Sequence, residues 1–323
     1  MSEYKYDVSI VIVCMNNLKL LYPCLESIKK YTSCSYEVLV TAFLFSKENL
    51  EKLSKDYPWV KVDESNEYRG FSENNNLALR QAKGRYCFVL NDDTYHSDPV
   101  IDHLVKTFDG LDEKVAVLSP VTLNKDGSVQ RCGKPKYTIF TYFIELIGQI
   151  KKYYACSKYT NKEGVFQTYN VSGAAFMIRT SVFEEMGWFD EKYYFCPEDI
   201  ALSTKLNKNG YKCYVDTHAK LTHIGGGTWS KTIVATKPAT VKGLQYFYRD
   251  ESVLSWLIYS FFATFEYGLK IVYWILKYLL SSDEHNVVMM KANWHAVKAI
   301  YSGKTPKQIF IKYYTHLKND NQK

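Results

Sequence analysis

Six residues near the start of the chain, Val8-Ser9-Ile10-Val11-Ile12-Val13, are apolar but for one serine. A run of that kind, β-branched and too short for a buried helix, marks a strand covered on both faces. The pattern then repeats with helices between. The spacing predicts a helix over 18–31, a strand at 37–40, a helix over 47–57, a strand at 59–62 and a helix over 72–83 stopped by Gly84. A strand at 86–90 runs into Asn91-Asp92-Asp93, Asp98 and Pro99 open another helix as N-cap and first position, and a strand follows at 115–118. Such alternation implies an α/β fold with a mainly parallel sheet and helices on both faces. Ligands bind such sheets beyond the carboxyl ends of the strands, which points first to Asn16-Asn17 and Asn91-Asp92-Asp93.

The second half is less regular. Asn124-Lys125-Asp126-Gly127 reads as a tight turn, and residues 137–165 are aromatic, lysine-rich and without a clear period. A strand is expected over 173–178 and a short helix over 181–186. A longer helix opens at Pro197-Glu198-Asp199 and ends before Gly210, followed by short strands at 211–215 and 219–222 and a flexible loop, His223-Ile224-Gly225-Gly226-Gly227-Thr228. From 253 to 280 the chain is apolar and aromatic, broken only by Glu266, Lys270 and Lys277. Its longest uncharged run is too short to span a bilayer, so one or two helices lying in a membrane interface, or packed on the domain, are expected.

Charge sharpens this division. Of the net +7, the stretch from Lys270 onward supplies +6, with nine lysines against Asp283, Glu284 and Asp320. The remainder is nearly neutral, which argues against a nucleic-acid enzyme with a basic groove. The expected organisation is an α/β domain over 1–236 and a helical segment over 237–323 that meets an anionic membrane surface. Eight cysteines include no C-x-x-C pair, and the first residues lack a basic stretch followed by a long apolar run. Free thiols, a cytoplasmic location and peripheral attachment to the inner face of the membrane are therefore expected.

Three places offer chemistry. Two carboxylates beside an amide at a strand end, Asn91-Asp92-Asp93, suit a hard cation such as Mg²⁺ or Mn²⁺, or an Asx turn that stops the strand. Asp199, in a first helical turn beside Glu198, is either a charge set against the helix dipole or a general base. His223, at a strand end before three glycines, can complete a metal shell while the glycine N–H groups cradle phosphate.

In this order the motifs resemble family 2 glycosyltransferases of the GT-A fold, in particular the bacterial rhamnosyltransferase-like branch. The matching segments are residues 8–17, Arg69-Gly70-Phe71-Ser72-Glu73-Asn74-Asn75-Asn76, Leu90-Asn91-Asp92-Asp93-Thr94, 173–179, Gly187-Trp188-Phe189-Asp190-Glu191, Pro197-Glu198-Asp199, and Gly210-Tyr211 through His223. The resemblance covers roughly residues 7–230. It implies an inverting, metal-dependent transferase that moves a sugar from a nucleotide-diphosphate sugar to a hydroxyl of a saccharide or lipid-linked saccharide during surface polysaccharide synthesis. It implies Asp199 as catalytic base, Asp93 and His223 as ligands of Mn²⁺ or Mg²⁺, and Cys14, Asn16, Gly70, Phe71, Asn75, Asn91, Asp92 and Glu198 around the nucleotide sugar. Three departures stand out, one being Ala201 at a position that is often acidic in relatives. Thr41-Ala42-Phe43-Leu44-Phe45 lacks the carboxylate that relatives carry after the second strand, and Cys14-Met15 replaces the usual Thr-Tyr. A catalytically idle GT-A domain that binds a nucleotide sugar or a partner transferase is the alternative. A nucleotidyltransferase would need a Gly- and Arg-rich loop where Met15-Asn16-Asn17-Leu18-Lys19 stands.

Overall fold

The computed structural model describes residues 4–130, 133–159, 162–225 and 232–320. The chain forms two compact units. One comprises residues 1–137, 150–190 and 199–225, and the other 138–149, 191–198 and 226–323. Two short segments from the middle of the sequence thus belong with the C-terminal helices.

The first unit is built on a mixed sheet. β1 (Tyr6–Cys14) pairs in parallel with β2 (Tyr36–Phe43) and β4 (Gly84–Asn91), and β2 with β3 (Lys61–Ser65). β8 (Ala175–Arg179) then runs antiparallel between β4 and β6 (Val115–Leu123), and β9 (Lys212–His223) lies parallel to β6. β5 (Thr94–Tyr95) and β7 (Val165–Thr168) each pair antiparallel with β9. The double-sided burial read from the sequence follows the pleat. Val8, Ile10 and Ile12 face one core with Leu21, Leu25 and Ile28 of α1 (Leu18–Tyr31) and Leu104 of α4 (Val100–Asp109). Val11, Cys87 and Val89 face the other with Ala78 and Leu79 of α3 (Phe71–Leu79), Phe183 of α7 (Thr180–Glu185) and Leu206 of α8 (Glu198–Lys208). Each of the Val, Leu, Ile and Phe side chains among them contributes about 1.5–3 kcal/mol by leaving water. The described cysteines are all free.

The structure differs from expectation where a neighbour overrides a local signal. β3 begins two residues late, because Trp59 packs edge-on against Tyr36 and Tyr57 instead of joining the ladder. α3 stops at Leu79, and Gly84 opens β4 instead of ending a helix. Glycine is required there because a Cβ would stand 2.3 Å from the Ser9 nitrogen. α4 starts at Val100, with Pro99 at the cap and no side-chain cap bond from Asp98. The two short strands expected after Gly210 are one strand, β9, with an irregularity where Pro120↔Asp216 gives way to Val121↔Lys220. Pro120 has no N–H to donate, so the ladder breaks beside it. The unassigned stretch contains α5 (Ile139–Leu146) and α6 (Ile150–Ala155).

The second unit packs α9 (Ile233–Glu251), α10 (Val253–Ser281), α11 (Glu284–Ile300) and α12 (Pro306–Asp320). Its core carries Tyr248 and Tyr259 with ring centroids 4.7 Å apart, and Tyr142 of α5 lies 5.1 Å from Tyr259 and donates a hydrogen bond to Glu266 at 2.9 Å. α10 is a single helix of 29 residues. No helix among the described residues is long and apolar enough to cross a membrane.

Candidate active site

β4 delivers Asn91, and a tight turn follows in which Thr94 Oγ1 donates to the Asn91 carbonyl at 2.8 Å. β5 then pairs Thr94 with His223, the last residue of β9. That register is why two residues 130 positions apart in sequence meet: His223 Nε2 lies 3.3 Å from Asp93 Oδ1. The Gly225 N–H donates to Asp93 Oδ2 at 2.8 Å, and Gly225 takes the left-handed φ of +70° that a glycine adopts without strain. That N–H is therefore spent on Asp93 and not left for a phosphate, while Gly226, Gly227 and Thr228 lie outside the described residues.

No local motif singles out Gln130. Its Nε2 donates to the His223 carbonyl at 2.7 Å and its Oε1 faces His223 Nδ1 at 2.9 Å. A carbonyl only accepts, so the amide orientation is fixed, and Oε1 must accept a proton from Nδ1. In the neutral ring Nε2 then carries a lone pair. It can accept from Asn91 Nδ2 at 3.4 Å, but it meets the Asp93 carboxylate lone pair to lone pair. Only a proton or a metal cation between them makes that contact attractive. An ionised carboxylate and an oriented imidazole are a donor set that fits Mn²⁺. Gln130 reaches His223 because the turn at 124–127 folds Gln130 back, its N–H donating to the Thr122 carbonyl at 2.8 Å. Only that hairpin register could have signalled it.

The two acidic neighbours differ sharply. Burial pushes the Asp92 carboxyl up to about 6, Asp93's charge adds to this, and the Cys14 thiol donating to it works the other way. Burial also opposes the Asp93 anion, but the His223 hydrogen bond and charge, with the Gly225 N–H, outweigh it and hold Asp93 below the usual carboxylate range. Cys14 itself is fully buried at the end of β1, and burial, then Asp92, drives its thiol far upward.

Asp199 lies at the same end of the sheet. Its Oδ2 accepts the Gly173 N–H at 3.1 Å, and the next residue, Ala174, accepts the Asn91 N–H at 2.9 Å. Asp199 and Asn91 therefore both hydrogen-bond the backbone of the Gly173-Ala174 segment. Glu198, the first residue of α8, is buried. Asn16, in left-handed conformation at φ 49°, uses Oδ1 to accept from Ser46 N at 3.0 Å and Asn49 Nδ2 at 2.9 Å, tying the end of β1 to the start of α2 (Lys47–Asp56). Around α3, the Gly70 N–H is already bonded to Glu73, Phe71 packs edge-on to Phe189 at 5.8 Å, and Asn75 donates to the Phe71 carbonyl while its buried Oδ1 has no partner.

Comparison with known proteins identifies the family and the fold. The model of "Glycosyl transferase family 2" matches residues 9–187, from β1 to just past α7. O-antigen biosynthesis protein RfbC of Myxococcus xanthus is 26% identical over 179 residues, which are 54% of this chain and 13% of that protein, so the chain spans only a small part of this relative. The solved structure of GalNAc-T7 with UDP, GalNAc and Mn²⁺ superposes with a TM-score of 0.53 and 19% identity over 68% of this chain and 44% of that one. The mannosyltransferase PcManGT from Pyrobaculum calidifontis, in complex with GDP-Man and Mn²⁺, gives 0.52 and 15% identity over 97% and 81%. These likenesses establish a GT-A-type fold. With more than half its length matched by the family model, the chain belongs to glycosyl transferase family 2.

Proposed function

We propose that the first unit transfers a sugar from a nucleotide-diphosphate sugar to a hydroxyl of a saccharide or lipid-linked saccharide, with inversion, in surface polysaccharide synthesis. The observation that carries this reading is the lone-pair conflict between His223 Nε2 and Asp93 Oδ1, 3.3 Å apart. Either a proton on the imidazole or a metal cation between the two atoms resolves it, and the pair is a donor set that fits Mn²⁺ or Mg²⁺. Asp93 and His223 would hold Mn²⁺ or Mg²⁺, which, when bound, neutralises charge on the leaving diphosphate. Asp92, Asn91, Cys14, Asn16, Gly70, Phe71, Asn75 and Glu198 shape the donor pocket. Asp199 takes the proton from the acceptor hydroxyl as that oxygen attacks the anomeric carbon. The bond to the diphosphate breaks on the opposite face, through an oxocarbenium-like state. The relatives' ligands, UDP with GalNAc and GDP-Man, support a nucleotide-sugar donor, and the O-antigen relative supports a polysaccharide product.

The apolar face of α10 and the lysines after it support attachment to an anionic membrane on its cytoplasmic side. The test of the catalytic reading is donor binding and transfer with UDP- and GDP-sugars, with and without Mn²⁺. Asp93→Ala should abolish the Mn²⁺-dependent part of donor binding. Unchanged turnover in excess chelator would overturn the metal role, and donor binding without any transfer or hydrolysis would favour the catalytically idle alternative.

A further inference from the structure

We propose that His103, Asp216 and His218 form a second metal site, for a transition metal such as Zn²⁺, distinct from the Asp93–His223 cluster. The break in the β6–β9 ladder builds it. Asp216 is the last residue of β9 in register before the irregularity, and residues 217–219 are extra relative to β6. The extra residues bring His218 back onto the Asp216 carboxylate, its N–H donating to Oδ1 at 2.9 Å and its Nδ1 lying 3.1 Å from the same oxygen. α4 approaches the other oxygen. His103 Nε2 is 2.8 Å from Oδ2, and Thr107, one turn further on, donates to Oδ2 at 3.1 Å. One ligand atom from each of the three residues lies within 4.8 Å of the others.

The arrangement has the marks of a three-ligand site. The carboxylate is fully buried and cannot rotate away, because Thr107 and the His218 N–H hold it from behind. The imidazoles are open, with side chains 41% and 67% exposed, which leaves room for a water as fourth ligand. Two imidazole nitrogens with one carboxylate favour Zn²⁺, Co²⁺ or Ni²⁺ over Mg²⁺ or Ca²⁺. On binding, the ion takes the place of the ring hydrogen facing each oxygen. A charged ring releases that proton to solvent, and a neutral ring takes it up on its other nitrogen. Asp216 stands opposite Pro120 and Thr222 opposite Leu123, so Asp216 and His223 are about four ladder positions, roughly 13 Å, apart, and one ion cannot serve both clusters.

The experiment is Zn²⁺ titration calorimetry on the full chain carrying Asp93→Ala, which removes the other cluster, with Co²⁺ absorption as a second readout. One equivalent of Zn²⁺ should bind, and Co²⁺ should show the visible bands of a low-coordinate site. Adding His218→Ala or His103→Ala should weaken Zn²⁺ binding at least tenfold. Both rings are exposed enough for these variants to fold, and Asp216→Asn serves as a third. Absence of Zn²⁺ binding in the Asp93→Ala chain, or equal affinity in the histidine variants, would overturn the proposal and leave a hydrogen-bonded cluster. Because the site is read in the Asp93→Ala chain, its failure leaves the proposed transferase mechanism untouched.

Discussion

At the scale of single residues, the catalytic proposal rests on protons. Gln130 fixes the tautomer of His223, so its loss should not unfold the chain but should let the ring turn. Gln130→Ala is expected to weaken Mn²⁺ binding 10- to 100-fold while the far-ultraviolet spectrum stays unchanged. Unaltered Mn²⁺ affinity would show that Gln130 does not orient the ligand. Asp199→Asn should lower kcat by at least 10²-fold and leave the donor dissociation constant within about threefold. His96 makes a separate, testable statement about pH. It is buried, with Ser27 Oγ 3.3 Å from Nδ1 and no partner at Nε2. Burial lowers its pKa from 6.5 to about 4, with Asp98 and Asp102 opposing. The folded state therefore refuses a proton that the unfolded chain accepts, and stability is lost as pH falls from 6.5 toward 4, by at most about 3 kcal/mol. Urea melts at pH 7 and pH 4.5 should show a smaller loss in His96→Gln than in the parent.

At the scale of elements, close backbone approach makes the sharpest prediction. Gly84 opens β4 beside Ser9, whose hydroxyl accepts from the Gly84 N–H at 2.8 Å and donates to Glu37 at 2.6 Å. A methyl at Gly84 would meet the Ser9 nitrogen and the Val8 carbonyl carbon, neither of which can swing aside. Gly84→Ala should cost about 2–3 kcal/mol, seen as a lower urea midpoint at unchanged slope. This glycine also shows how far the sequence can be read. β1, β2 and β4 were legible because strands buried on both faces must be continuously apolar, and the strand ends then pointed to Asn91, Asp92 and Asp93. Gly84 was visible as punctuation, but whether it ends a helix or admits a neighbouring strand depends on pairing that no local window contains. The same limit hid the irregularity in β9 and the role of Gln130, since both arise from register between distant segments. Asp199 was legible as a carboxylate in a first helical turn, yet its bond to Gly173 is a tertiary fact.

At the scale of the whole molecule, one surface is unlike the rest. On α10, Leu257, Phe261, Phe265, Leu269, Val272 and Leu276 recur at helical spacing and each is more than half exposed. At 1.5 Å per residue the helix is roughly 43 Å long, and this stripe carries no charge along it. The opposite side of the helix packs, with Tyr259 and Ala263 buried. Two forces would hold such a face to an anionic bilayer, and their sizes predict different responses. Each lysine near the surface contributes about 1 kcal/mol and is screened by salt, whereas each Leu or Phe leaving water contributes about 1.5–3 kcal/mol regardless of salt. The apolar stripe should therefore dominate. Flotation of the full chain with anionic vesicles should fall only in part when salt is raised, and at least tenfold when Leu257, Phe261, Phe265 and Leu269 are all changed to Gln. Because none of the four is buried, the variant should melt as the parent does and still transfer sugar to a water-soluble acceptor. Parent and variant floating alike would mean that the stripe does not meet lipid, and loss of soluble-acceptor transfer would mean that the stripe supports the fold instead.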